Sequence, residues 1–378
     1  MRLVIWVRGL FGLSLFLASA NIFAGENVWT TDGPPGAVSA LAIDPTTLTL
    51  YAVTRTAPDR DGVFKRSDTA GTWDLLAEAP PFRLISTVAV DPSDSNVYAS
   101  INAGPFGGAF YRSTDNGITW VLVASSQQQN FWYFAFPADE SETLYAGGSS
   151  CYCTGFPCFF RTLCSASVFE STDSGVTWRA LGGLLAGGRV SSVAFDPFAR
   201  NRIYAAGDGG VFVTLDRGAH WSSPTAGGEG CQSITVAVDP RDGNVVFAAT
   251  RFGRASYCGG LYRSEDGGRA WIRTLIETFD VTSIQIDPQS PEIVYTAAAI
   301  RDANGERSGV LRSTDGGGTW TQLGSNLPDV VSLVLEPSGH VLHAATSTGV
   351  FDYEIVPGAR PPVIPPRTRE TRVLAPRP

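Results

Sequence analysis

The sequence predicts an all-β chain: a seven-bladed β-propeller of four-stranded antiparallel blades, closed by the N-terminal strand pairing with the last blade. Three observations carry this expectation. The phrase Ser-x-Asp-x-Gly-x-Thr-Trp recurs. It is complete at residues 113–120, 171–178 and 313–320, relaxed at 214–221 (His220 for Thr) and 264–271 (Ala270 for Thr), and one residue short at 67–73. Each copy sits in a unit of about 47 residues, a period that belongs to propellers and solenoids. The units are short β-branched and aromatic runs split by Gly, Asp, Asn and Pro, which read as strands and turns.

The first strand of a unit ends in Asp-Pro, at residues 41–45, 88–92, 193–197, 236–240 and 284–288. Phe134–Pro137 lacks the Asp, and Leu333–Pro337 carries Glu336 in its place. The second strand follows as Leu50-Tyr51-Ala52, Val97-Tyr98-Ala99, Leu144-Tyr145-Ala146 and their equivalents, ending with Leu342-His343-Ala344. The third is Gly-apolar-apolar, as at 62–64, 210–212 and 349–351, and the fourth opens at the Trp. The last unit stops at Val350-Phe351 with no Trp strand, while Asn27-Val28-Trp29 precedes the first unit and can supply it. That closure hides two sheet edges. The units fill residues 25–356 and leave no room for a second domain. In the first strands, Ala40, Thr87, Ser192, Thr235, Ser283 and Ser332, and the residues two further on, place small side chains on one face by period-two alternation. Small residues suit strands crowded round an axis; Tyr133 breaks the pattern in the third blade.

The first 24 residues read as an export signal. Arg2 and Arg8 precede an apolar stretch at 10–17, and cleavage is expected after Ala20 or Ala24. The stretch is short for a membrane span, and no other segment of the sequence could form one, so the expected product is exported, to a periplasmic, extracellular or luminal space. A net charge of −8 with 17% charged residues argues against a nucleic-acid partner. Residues 357–378, with five Arg, one Glu and many Pro, read as a disordered basic tail. The six cysteines of an exported chain read as disulfides. Cys231 and Cys258 would share one rim of the fifth blade, where a bridge contributes about 3–4 kcal/mol. Cys151, Cys153, Cys158 and Cys164 fall in one insertion of the third blade. Two disulfides are the default there, with zinc the alternative at such spacings, and the pairing stays open. His220, His340 and His343 are scattered and suggest no metal site. No cofactor is implied, and a monomer is expected.

The repeated phrase resembles the Asp-box, or BNR, repeat, and the folded region resembles the sialidase-like propeller superfamily. Sialidases, xyloglucan-active glycosidases, sortilin-type receptors and the exported seven-bladed photosystem II assembly factor share that repeat, and the last is nearest in layout. The resemblance implies that the box is a turn between third and fourth strands, far from any ligand. Asp68, Asp115, Asp173, Asp216, Asp266 and Asp315 are then structural: the carboxylate accepts turn N–H groups and Gly permits a positive φ. The departures are informative. The sialidase Phe/Tyr-Arg-Ile-Pro start has its nearest phrase here at Phe82-Arg83-Leu84-Ile85, without the Pro. Sialidases have six blades, xyloglucan-active relatives pair two propellers, and sortilin-type receptors have ten blades and an anchor.

With this strand order one face collects the loops between second and third strands and the connections into each next blade. Its long loops are 55–61, 101–108, 149–166, 251–258 and 301–308, and loops on a rigid scaffold are the usual binding elements. The ligand-binding candidates on this face are Trp132, Tyr133, Arg161, Arg189, Gln232, Arg251, Arg254, Tyr257 and Arg301; aromatics beside Arg can stack on sugars or anchor a peptide. Seven residues before each Asp-Pro position stand Ala37, Leu84, Asn130, Arg189, Gln232, Asp280 and Asp329, a ring at the mouth of the axis. Asp280 and Asp329 come from adjacent blades and are the one candidate carboxylate pair for glycoside hydrolysis, which needs carboxyls about 5–9.5 Å apart. The reading that follows is an exported, non-catalytic scaffold binding a protein or glycan through the long-loop face. The alternative is a glycoside hydrolase using Asp280 and Asp329.

Overall fold

The computed structural model describes residues 28–355 apart from 58–59, 68–70, 77–84, 103–107, 127–128, 138–139, 141, 154–161, 187, 224–231, 252–258, 276–278, 303–304 and 325–326. The export signal, the basic tail, Asp68, Cys158, Cys231, Cys258, Arg161, Arg254 and Tyr257 lie outside the described residues. Seven antiparallel sheets form the blades; in the first six the strands run in sequence order from the inside outward, and in the seventh a strand from the start of the chain is added at the outer edge. Their inner strands are Val38–Ile43, Ile85–Val90, Gln129–Ala135, Val190–Phe195, Ser233–Asp239, Phe279–Ile286 and Val330–Leu335. Each inner strand neighbours the next, and the seventh meets the first, so the ring closes.

Two details differ from the sequence expectation. The closing strand is Thr30–Gly33, not residues 27–29, and it pairs with Val350–Asp352 at the outer edge of the seventh blade. Trp29 stands just before it as an anchor: its indole N–H donates to the Leu323 carbonyl (2.9 Å) and its ring packs on Tyr353. Among the described residues the fourth blade shows three strands, with its expected Trp221 strand represented by the single bridge Val213–Ser222.

The repeated residues have separable jobs. The Asp of Asp-Pro closes an Asx turn: Asp44 Oδ1 accepts the Thr46 N–H, Asp91 that of Ser93, Asp196 that of Phe198 and Asp287 that of Gln289, each at 2.7–2.8 Å. In the box, Ser113 Oγ donates to Asp115 and accepts the Gly117 N–H, while Asp115 accepts the N–H and hydroxyl of Thr119. The boxes at Asp173 and Asp315 repeat this set. Asp216 takes His220 instead, and Asp266 takes the Arg269 and Ala270 N–H groups. The box glycine then meets the preceding blade. A Cβ at Gly175 (φ +90°) would stand 2.9 Å from Cδ1 of Phe110, and one at Gly218 2.7 Å from Cβ of Leu181. The turn is thus a wedge between blades, which explains why it recurs without a ligand.

These turns imply acid sensitivity. Hydrogen bonds from Thr119 hold the Asp115 carboxyl down at about 2, and the backbone N–H and ring of His220 do the same for Asp216, also to about 2. A depressed folded pKa contributes stability above the unfolded value, and that contribution is lost as pH falls through the folded value. The urea midpoint is therefore expected to decline between about pH 4 and 2, and an Asp115→Asn variant should show a shallower decline over the same range.

One feature of the inner strands was illegible in the sequence. All seven carry a one-residue bulge at the same place, at Ser39, Ser86, Trp132, Ser191, Ile234, Thr282 and Val331. The extra residue shifts the alternation by one. In the sixth blade Asp280 opposes Ala299 and Ser283 opposes Ala297, so Asp280 and Ser283 share a face across an odd spacing. Hydroxyls near the bulges tie blades together: Ser191 Oγ donates to the Ile234 carbonyl (2.7 Å), and Thr282 Oγ1 to that of Val330 (3.2 Å).

Candidate functional site

The bulges stand at the end of the ring where the second and third strands turn, and that end is uneven. In the third blade the hairpin pairs from Leu144–Ser171 up to Cys153–Thr162, whereas in the fourth it turns at Gly207–Gly210. Ten-residue strands beside five-residue strands make a step of about 15 Å. In the taller hairpin the register sets Cys151 opposite Cys164.

Three of the candidate residues meet at the foot of this step. Trp132 is the bulge residue of the third blade and is half-buried. Arg189, exposed, precedes the inner strand of the fourth blade, with its guanidinium carbon 5.2 Å from the Trp132 ring centroid. Asp208, in the short hairpin, fixes the Arg189 backbone, accepting its N–H at 3.1 Å and donating its own N–H to the Arg189 carbonyl at 3.1 Å. Tyr133 follows Trp132, stays 37% exposed, and hydrogen-bonds Ser192 through its hydroxyl. Burial by the surrounding inner strands raises the Tyr133 pKa, so the phenol is neutral. The one large residue among small ones on the inner strands therefore stands beside the stacked pair. Asp208 and Ser192 had no signal as site residues, because their roles depend on contacts between blades.

The remaining candidates continue round the rim. The Arg251 N–H donates to the Gln232 carbonyl (2.9 Å), and both residues are exposed. Asn130 is buried. Asp280 is partly buried. Asp329 is exposed, and its carbonyl accepts the Ser347 N–H. The Thr282–Val330 bond places the backbones carrying these two carboxylates side by side. For Arg301 only the backbone is described, opposite Glu306.

The BNR/Asp-box repeat model matches residues 111–122. Among solved structures the chain is similar to the GH74 xyloglucanase from Xanthomonas campestris, with 18% identity and TM-score 0.68, over 88% of this chain and 54% of that one. It is similar also to the GH74 enzyme of Niastella koreensis, with 17% identity and TM-score 0.66, over 86% and 53%. The chain spans about half the length of these enzymes. A chain of the mitotic checkpoint complex matches at 12% identity and TM-score 0.61, over 92% of this chain and 99% of that one. No curated protein matches. At these identities the likeness is one of fold. The chain is a seven-bladed propeller in which the BNR/Asp-box repeat model matches one of the box turns.

Proposed function

We propose that this chain is an exported, non-catalytic propeller that binds a glycan or protein through its long-loop face, with Trp132, Tyr133 and Arg189 at the centre of contact. One observation carries the reading: an exposed guanidinium held over an indole beside a partly exposed tyrosine, at the foot of a step between hairpins. Aromatic residues and Arg dominate binding energy where they are pre-positioned, and the Asp208 clamp and the Trp132 stack pre-position Arg189. The fold neighbours support either ligand class, since two are named for glycoside hydrolases and one for a protein assembly. Binding of the purified chain to a panel of oligosaccharides, and co-purification from extracts, tests the reading. A Trp132→Ala variant is expected to weaken binding at least 10-fold while leaving the circular-dichroism melt within a few degrees; unchanged affinity rejects this face.

The second reading, a glycosidase using Asp280 and Asp329, is favoured by the bulge that keeps Asp280 in phase with Ser283 and by the bond joining the two backbones. Hydrolysis of xyloglucan by the wild-type chain, abolished by Asp280→Asn and separately by Asp329→Asn, would establish it. Full activity in either variant would sink it.

A further inference from the structure

We infer that the outer edge of the second blade, the strand Val121–Ser126, pairs with the same strand of a second copy of this chain. The repeat supplies its own comparison. An outermost strand leaves one side of its backbone unpaired, and proteins protect such edges by keeping them short or charged. Trp73–Leu75 and Thr321–Leu323 have three residues; Thr30–Gly33 and Ile272–Leu275 have four and contain Asp32 and Arg273. Arg179–Ala186 opens on the exposed Arg179, and Gly210–Thr214 of the fourth blade is buried along its length. Val121–Ser126 has six residues and neither protection. Between Asp115 and Asp139 the sequence holds no charged residue at all. Ile118 is 60% exposed, Val121 63% and Leu122 51%. No other complete or relaxed box places a large apolar residue at all three equivalent positions; the fifth blade, for example, reads Arg269, Ile272 and Arg273.

The inner side of this strand pairs with Gly108–Ser113, and among the described residues nothing pairs with its outer side. The ladder has one irregularity, a one-residue bulge at Val123, and Leu122 and Ser125 on either side of it remain exposed. Charge favours a second copy as the occupant. Two chains at −8 each repel, and this strand is a place where they meet with no like charges opposed. A strand lying antiparallel on itself about a two-fold axis makes an isologous contact. Its complement is its own uncharged sequence, and the pairing covers Val121 and Leu122 of both copies. The other described outer strands are short, charged or buried, so pairing stops at two chains rather than propagating. Six residues span about 20 Å, a small contact, so the dimer is a concentration-dependent one. The surface lies apart from the long-loop face and does not depend on what binds there.

Sedimentation equilibrium of the full chain over a concentration series tests this. The wild type is expected to show a monomer–dimer equilibrium. Leu122→Lys brings like charges together across the two-fold axis and should raise the dimer dissociation constant by about 10-fold or more. Leu75→Lys, at an exposed position on the outer strand of the first blade, should leave it unchanged. Both positions are half-exposed, so the circular-dichroism melts should match that of the wild type; if Leu122→Lys melts early, Ser125→Lys reads the same edge beyond the bulge. A synthetic peptide of residues 116–126 should dissociate the dimer by competing for the edge. A wild type that stays monomeric at every concentration overturns the inference. So does a dimer that Leu122→Lys and Ser125→Lys both leave intact, which places the interface elsewhere. Binding of the peptide to a chain that never dimerises also overturns it, and assigns the edge to a strand of another protein.

Discussion

Replacing Phe110 with Ala is expected to destabilise the propeller by about 3–5 kcal/mol, the range for emptying a fully buried aromatic site. Phe110 has no exposed surface. It stacks on Tyr98 (centroids 5.5 Å, planes 7° apart) within its own blade, and meets Phe134 (4.9 Å) and Trp178 (5.3 Å, edge-on) of the next. It is also the surface on which the Gly175 turn rests. The loss therefore falls on the contact between the second and third blades, and neighbouring backbone cannot collapse into the space without moving a box turn. In urea the midpoint should drop while the slope is unchanged, as for a pure stability change. A cycle with Gly175→Ala separates the packing terms. Alone, Gly175→Ala puts a Cβ into the Phe110 ring at a φ of +90° and should be destabilising. In the Phe110→Ala background the steric part of that cost disappears, leaving only the backbone part, so the two effects should not add. Additive losses would mean that the turn and the ring do not bear on each other.

The same contact shows why most of the fold was legible in the sequence. A box glycine must have a positive φ and must lack a Cβ because a side chain of the preceding blade, Leu76, Phe110, Leu181 or Phe247, fills the space, so the phrase recurs wherever blades meet. The Asp of Asp-Pro is read as easily, since an Asx turn lies within three residues. What failed to show depended on partners outside the unit. The bulge residues are of no single type: Ser39, Ser86, Ser191 and Thr282 carry a hydroxyl but Trp132, Ile234 and Val331 do not; the extra residue is imposed by pairing, so simple alternation misplaces the side chains before it. Trp29 takes the box-Trp place in the closing blade: it stands just before its strand as Trp120, Trp178, Trp271 and Trp320 do before theirs, and its indole bond to Leu323 matches that of Trp221 to Leu181. At the mouth, aromatic and Arg residues were visible, but the Trp132–Arg189 stack and the Asp208 clamp needed the fourth blade's short hairpin to bring them together.

The junction of the seventh and first blades departs furthest from the repeat, and the second large effect is expected there. Five blades place a fully buried Tyr at one position of the second strand (Tyr51, Tyr98, Tyr145, Tyr204 and Tyr295) and the fifth has Phe247, but the seventh has His343. The first blade's box is one residue short. An ionic network occupies the junction instead. Arg66 donates to Asp352 at 2.6 Å, His343 Nδ1 lies 2.7 Å from the other Asp352 oxygen, and its Nε2 lies 3.5 Å from Glu336. Arg66 also lies 5.2 Å from the Trp73 ring centroid. Removing one member of a buried pair strands the others. Arg66→Ala is therefore expected to cost about 3 kcal/mol, the low end of the range for buried pairs, because the Asp352 side chain keeps 25% of its surface exposed.

The network also sets a pH window. Burial alone would lower the His343 pKa, but its bonds to Asp352 and toward Glu336 outweigh burial and the nearby Arg66 charge and hold it above the ordinary 6.5. Burial would raise Asp352, and His343 and Arg66 outweigh it, holding the carboxyl below 3.8. The raised group stabilises fully below 6.5 and loses its contribution as pH rises through its folded value; the lowered group stabilises above 3.8 and loses its contribution as pH falls. The junction is thus firmest between those two limits, and the urea midpoint should fall as pH rises from 6 toward 8. A His343→Gln variant keeps a polar side chain but cannot titrate. If the junction acts as described, the variant starts less stable at pH 6 and stays flat over the interval; a parallel fall in both proteins would place the titrating group elsewhere.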